Sequence, residues 1–223
     1  MSSRQPRAPT VVNLCFHGIG TPERELEPDE ERYWVEVEQF EELLEVVRRH
    51  PSLRLTFDDG NASDAEIALP ALERAGLTGS FFVVAGRMGQ RGSLRDDQVR
   101  ELAEAGMTIG NHGLRHRSWR SLDAEALDEE LNQARASIAD AAGRPVDEAS
   151  CPFGEYDRRV LRSLRERGFR RVYTVDEGPA RADAWLQTRH TIRATDAPAT
   201  VERLAGSRSS VVQSLRSAVK RWR

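Results

Sequence analysis

Short apolar runs alternate with amphipathic stretches along nearly the whole chain. Val11–Phe16 (VVNLCF), Leu53–Phe57, Ser80–Ala85 (SFFVVA), Met107–Ile109, Ala149–Pro152, Arg171–Thr174 and Arg189–Arg193 read as strands. The first is apolar almost throughout, as in a parallel sheet covered on both faces. Between them, Val35–Arg49 sets Val37, Phe40, Leu43, Leu44 and Val47 at helical spacing and stops before Pro51. Asp64 is placed to cap a helix carrying Ile67, Leu69 and Leu72, which Pro70 starts or kinks and Gly76 ends. Asp96–Ala105 packs through Val99 and Leu102, Asp123–Ala142 through Leu127, Leu131, Ala134 and Ile138, and Asp157–Arg167 through Val160, Leu161 and Leu164. His17–Gly20 and Asp176–Asp183 read as loops, and Thr21–Glu31, with Pro22 and Pro28, as an irregular excursion. Residues 1–9 read as a disordered arm, residues 10–207 as one domain, and residues 208–223 as a basic amphipathic helix with Val211, Val212, Leu215, Val219 and Trp222 on one stripe.

Strands and helices in alternation, without linker or repeat, predict a single α/β domain on a parallel sheet. A closed barrel and an open doubly wound sheet both satisfy the pattern. In either, ligands collect beyond the C-terminal strand ends. That singles out His17, Asp58, Asp59, Asn111, His112, Phe153 and Arg189.

Composition narrows this picture only a little. The net charge of −3 gives no electrostatic argument for nucleic acid. The acid-rich stretch Glu23–Glu45 reads as a solvated helix face. The tail from Arg203 to Arg223 is basic and free of acids, so its helix is expected to dock on the domain through its apolar stripe, or to lie on an anionic membrane surface. Two cysteines, Cys15 and Cys151, are too few for a disulfide scaffold and read as buried thiols. The N-terminal residues lack an apolar signal core and no apolar run reaches spanning length, so a cytoplasmic location is the working expectation.

The chemistry centres on LTFDDG, Leu55–Gly60. Two adjacent carboxylates repel and are costly to bury, and a cation that neutralises one leaves the other as a base. His112 and His116 form an H-x-x-x-H pair after a strand; on a helical turn both rings reach one cation. Asp59, His112 and His116 together make an N/N/O set with open positions, suited to catalytic zinc and also to iron, cobalt, manganese or nickel. Trp119 reads as packing in preference to a sugar platform.

TFDDG (Thr56–Gly60), NHGLRH (Asn111–His116) and CPFG (Cys151–Gly154), in this order, resemble the polysaccharide deacetylase family, also called the NodB-homology or carbohydrate esterase family four domain. FHGI at Phe16–Ile19, FEELLEVV at Phe40–Val47 and SFFV at Ser80–Val83 are similar to it too. The resemblance implies a distorted (β/α) barrel of about seven strands. It implies hydrolysis of an N-acetyl, or sometimes O-acetyl, group on a sugar, with Asp58 as base and Asp59, His112 and His116 as ligands of a divalent metal, zinc first. A backbone N–H near Phe153-Gly154 would hold the oxyanion and Phe153 would line the acetyl pocket.

Three positions depart from the family pattern. Gly113 stands where Ser or Thr is usual. Ser150 stands where an arginine usually orients the base, leaving Arg189 or Arg193 to supply that charge. The family's late acid histidine has no clean match, and of the two candidates, His17 and His190, His17 is favoured for its strand-end position. An amidase acting on another C–N bond, and a metal- or sugar-binding module without turnover, are the competing readings.

Overall fold

The computed structural model describes residues 8–206. The predicted terminal helix at Ser209–Trp222 and most of the predicted arm lie outside the described residues. Strand β1 (Thr10–Phe16) pairs in parallel with β4 (Leu53–Phe57), and the sheet continues through β5 (Gly79–Val83), β6 (Thr108–Asn111), β7 (Glu148–Ser150), β8 (Arg171–Tyr173) and β10 (Leu186–Gln187). On its other side β1 pairs with β11 (Arg189–Thr191), also in parallel. Only Thr188 separates β10 from β11, so the two ends of the sheet are covalent neighbours. Asn13 stitches this seam, donating from Nδ2 to Gln187 Oε1 (3.0 Å) and to the Thr188 carbonyl (2.9 Å). The result is a nearly closed, mostly parallel (β/α) barrel, as the resemblance implies. β9 (Ala180–Arg181), inside the stretch read as a loop, runs antiparallel to β1.

Alternation along the strands sorts the two faces. Phe16, Phe57 and Phe81 point outward and stack in series, with Phe40 of α1 (Val37–Arg49) edge-on to Phe16. Around them the outer core takes in α2 (Leu69–Ala75), α3 (Asp96–Glu104) and α5 (Ala134–Ala142). A smaller core gathers Trp119, Leu127 and Leu131 with Val160 and Leu164 of α6 (Arg158–Glu166). Trp119 is fully buried there, as packing requires, and offers no face to a sugar. The barrel interior is polar and aromatic instead: the Arg189 guanidinium lies over the contacting rings of Phe82 and Tyr173.

Several elements differ from the sequence expectation. Gly18–Ile19 is a short strand, β2, paired with β3 (Trp34–Val35), so the FHGI loop is anchored and the excursion between these strands returns to where it began. Asp64 makes no helix cap; it sits fully buried in a π-type turn, Asp64–Ala68, that leads into α2. The long predicted helix Asp123–Ala142 is α4 (Ala124–Asp128) and α5 joined by a π-type turn, Glu129–Gln133. A last helix, α7 (Pro198–Ala205), had too few apolar positions to be predicted and packs on α1. Among the described residues no helix is long and apolar enough to cross a membrane.

Candidate active site

The site lies where the strand ends converge. Asp58 N–H continues the β1–β4 ladder onto the Phe16 carbonyl (2.9 Å), and the chain then turns left-handed at Asp59 (φ 78°). That reversal sends the adjacent carboxylates different ways. Asp58 meets Arg189, and Asp59 meets the histidines.

Arg189 is fully buried, and every one of its five donors has an acceptor. Nη1 and Nη2 each reach a different oxygen of Asp58 at 2.7 Å, Nη1 also reaches Thr56 Oγ1, Nη2 reaches Ser150 Oγ (2.7 Å), and Nε reaches the Thr174 carbonyl. Ser150 in turn donates its hydroxyl to Asp58 Oδ2 (3.1 Å). Burial alone would raise the Asp58 carboxyl, but the Arg189 guanidinium outweighs it and holds the group well below the usual carboxylate range. The charge missing at position 150 therefore arrives from β11, and a small Ser at 150 leaves room for it. Arg193, the other candidate, engages Asp196 near the surface through its backbone.

Asp59 faces His112 and His116. Its Oδ1 stands 3.5 Å from His112 Nε2 and 3.2 Å from His116 Nε2. His112 Nδ1 pairs with the Ser150 carbonyl (2.9 Å), an acceptor only, so the proton sits on Nδ1 and Nε2 keeps its lone pair. Burial pushes the His112 imidazole down to about 4, which keeps it neutral near pH 7. His116 Nδ1 pairs with Glu27 Oε1 (3.0 Å), an acceptor, which directs Nε2 toward Asp59. Asp59 Oδ1 is buried and has no hydrogen-bond partner. An orphaned carboxylate oxygen and two imidazole lone pairs converging on one point, all within 4.8 Å, fit a divalent cation.

The histidines do not share a helical turn. Residues 113–118 form an irregular loop, with Gly113 at φ 90° and His116 at φ 48°. Glu130 holds that loop. Fully buried in the π-type turn, it accepts the N–H groups of Leu114 (2.6 Å) and Arg115 (3.2 Å) and Nε of Arg117 (2.9 Å). Asn111 braces both sides, donating to the Glu130 and Leu131 carbonyls and accepting from Gly113 N–H (2.7 Å). A side chain at 113 would collide with Glu130 Oε2, and the positive φ there also disfavours one. Gly113→Ser, although it restores a residue usual in the family, is therefore expected to cost about 1–3 kcal/mol of stability, read as a lower urea midpoint.

Asp58, Asp59, His112 and His116 line a cavity of about 230 Å³ with His17, Tyr33, Phe153, Gly154, Val175 and Thr191. His17 stacks on Tyr33 (5.2 Å between ring centres), and its buried Nδ1 has no partner. His190 is absent from this lining and occupies the alternate position to Arg189 on β11. Phe153, 54% exposed, stands at the mouth with its ring against His116 (4.5 Å). Gly154 N–H is committed to the Cys151 carbonyl (2.9 Å), which corrects its candidacy as an oxyanion donor and leaves the Phe153 N–H as the candidate at that turn.

Sequence reasoning missed Glu27, Glu30, Arg87 and Glu130. Glu27 and Glu30 were hidden in a stretch read as solvated, yet both turn inward. Glu130 sits in an acid-rich helical run that carries no sign of its contacts.

The fold and this site define a class: parallel barrels with an Asp/His/His pocket beside an arginine-held carboxylate at the strand ends. Residues 46–172 match the family described as polysaccharide deacetylase. The chain belongs to the polysaccharide deacetylase family. It is 27% identical over 123 residues to a chitooligosaccharide deacetylase of Rhizobium leguminosarum bv. trifolii, covering 55% of each chain. The chain spans about half the length of the curated relatives it matches. In fold it resembles the Streptococcus pyogenes deacetylase PplD, solved in complex with acetate (TM-score 0.76, 18% identity, 89% of this chain and 99% of that one), and IcaB from Ammonifex degensii (TM-score 0.73, 22% identity, 91% and 99%).

Proposed function

We propose that this protein is a metal-dependent hydrolase that removes an N-acetyl (or O-acetyl) group from a sugar, polysaccharide or glycan precursor. The observation that carries the reading is the division of labour between adjacent carboxylates: Asp59 turns to two histidine lone pairs, while Asp58 is held ionised and open to the same cavity. A purely structural ion site has no use for the second carboxylate.

Asp59, His112 and His116 would hold the cation. A divalent ion there supplies Lewis acidity, acidifying water and polarising a carbonyl oxygen. Zinc suits the donor set best, with cobalt, nickel, manganese or iron as alternatives. Asp58 accepts the proton of the attacking water. Arg189 and Ser150 fix its carboxylate plane, so that little reorganisation is needed as the proton moves. The Phe153 N–H donates to the oxyanion that develops on the acetyl carbonyl, and its ring closes one side of the acetyl pocket. His17, stacked on Tyr33, is the candidate to protonate the leaving nitrogen.

Acetate release from N-acetylglucosamine oligomers tests the reading. Turnover is expected to vanish after chelation and to return on adding Zn²⁺ or Co²⁺. Cation uptake with no acetate from any acetylated sugar would favour an amidase on another C–N bond, or a module without turnover.

A further inference from the structure

We propose that Glu27 is a positioning residue for the cation site, fixing the His116 ring so that Nε2 faces Asp59; the inference rests on the cation-dependent reading above. Glu27 is contributed by the excursion between β2 and β3, remote in sequence from Asp58, Asp59 and both histidines. Its Oε1 lies 3.0 Å from His116 Nδ1 and also meets Arg87. Arg87 and the Nδ1 proton are both donors, so the carboxylate between them is the acceptor each requires.

A carboxylate 38% exposed in an isolated ion pair would be weak evidence. Here the backbone beneath it is fixed. Glu27 N–H donates to Glu30 Oε2 (2.8 Å), and the Glu27 carbonyl accepts Glu30 N–H (3.0 Å). Arg24 grips the buried Glu30 carboxylate and reaches Asn61 Oδ1 through Nε (2.8 Å), two residues beyond Asp59. Asn61 in turn donates to the His17 carbonyl (2.8 Å). On its far side the excursion lies flush against Gly92, where a Cβ would meet the Glu23 and Arg24 backbone at 2.8 Å. Glu27 is thus tied through Glu30, Arg24 and Asn61 to the turn that carries Asp59.

The two histidines are consequently unequal. His112 Nδ1 has a neutral partner, the Ser150 carbonyl, whereas His116 Nδ1 has an anionic one. A carboxylate on Nδ1 fixes the ring and raises the basicity of Nε2, which strengthens it as a ligand.

The test is Co²⁺ titration of the chelator-stripped full chain, reading the visible absorption of the bound ion, for wild type, Glu27→Gln and Glu27→Ala. Removing such a partner is expected to weaken affinity about 10- to 100-fold in Glu27→Ala. Glu27→Gln, whose amide oxygen still accepts from Nδ1, is expected to fall between that variant and wild type. The same Co²⁺ affinity in all three proteins overturns the proposal. So does a lowered melting temperature of the metal-free variants with affinity unchanged, which would make Glu27 merely structural. Failure of wild type itself to take up Co²⁺ overturns the cation-dependent reading instead.

Discussion

Arg189→Met is expected to destabilise the protein by about 3–5 kcal/mol, because it leaves the buried Asp58 carboxylate without its counter-charge. Both 2.7 Å hydrogen bonds to Asp58 disappear at once, and Ser150 can replace neither the charge nor the bidentate geometry. The variant is also expected to change the pH dependence of turnover. In wild type burial would raise the Asp58 carboxyl, but Arg189 holds it well below the usual carboxylate range. Without it, burial dominates and the carboxyl rises, so the acid limb of kcat/KM moves to higher pH. The linked stability has the same sign. A carboxylate held below its unfolded-state value stabilises the fold above that value, and the contribution is lost as pH falls through the folded one. Guanidinium unfolding at pH 7 and a pH–rate profile check both statements. An unchanged acid limb would mean that Arg189 does not control the base.

Asp58→Asn is expected to lower kcat by about 10²- to 10⁴-fold, the usual contribution of a general base, while Co²⁺ affinity stays near that of wild type. Asn keeps an oxygen for Arg189 but cannot take a proton from water. His116→Ala should do the opposite first, losing the cation and turnover with it. Near-normal turnover in Asp58→Asn would remove Asp58 from the role of base. Cation binding lost equally in both variants would mean that the two adjacent carboxylates do not divide the work.

The alternation of strands and helices was legible mainly through the apolar runs of β1, β4 and β5 and the helical stripes between strands. β4 has the predicted bounds, Leu53–Phe57, and the helical stripes of α1, α3 and α6 recur within about two residues. The short elements β2, β3, β9 and β10 were not legible, since two residues carry no periodicity and only a partner strand makes them extended. The helical turn expected between His112 and His116 failed for a related reason. Gly113 and the Glu130 carboxylate, which arrives from another element, fix that loop, and i,i+4 spacing does not.

Asp58, Asp59, His112 and His116 were marked as candidates by residue type and strand-end position alone, because a parallel sheet brings its C-terminal ends to one rim. Which charge would face Asp58 was undecidable in one dimension: Arg189 and Arg193 are four residues apart, and only barrel closure carries Arg189 inward while Arg193 stays outside. Glu27 is further still from sequence logic, being 89 residues from the ring it contacts. Residue order alone carried the family resemblance, the strand ends and the chemical types of the site. The tertiary structure decided the partners of those groups, because hydrogen-bond direction and burial are properties of neighbours that meet only when the barrel closes.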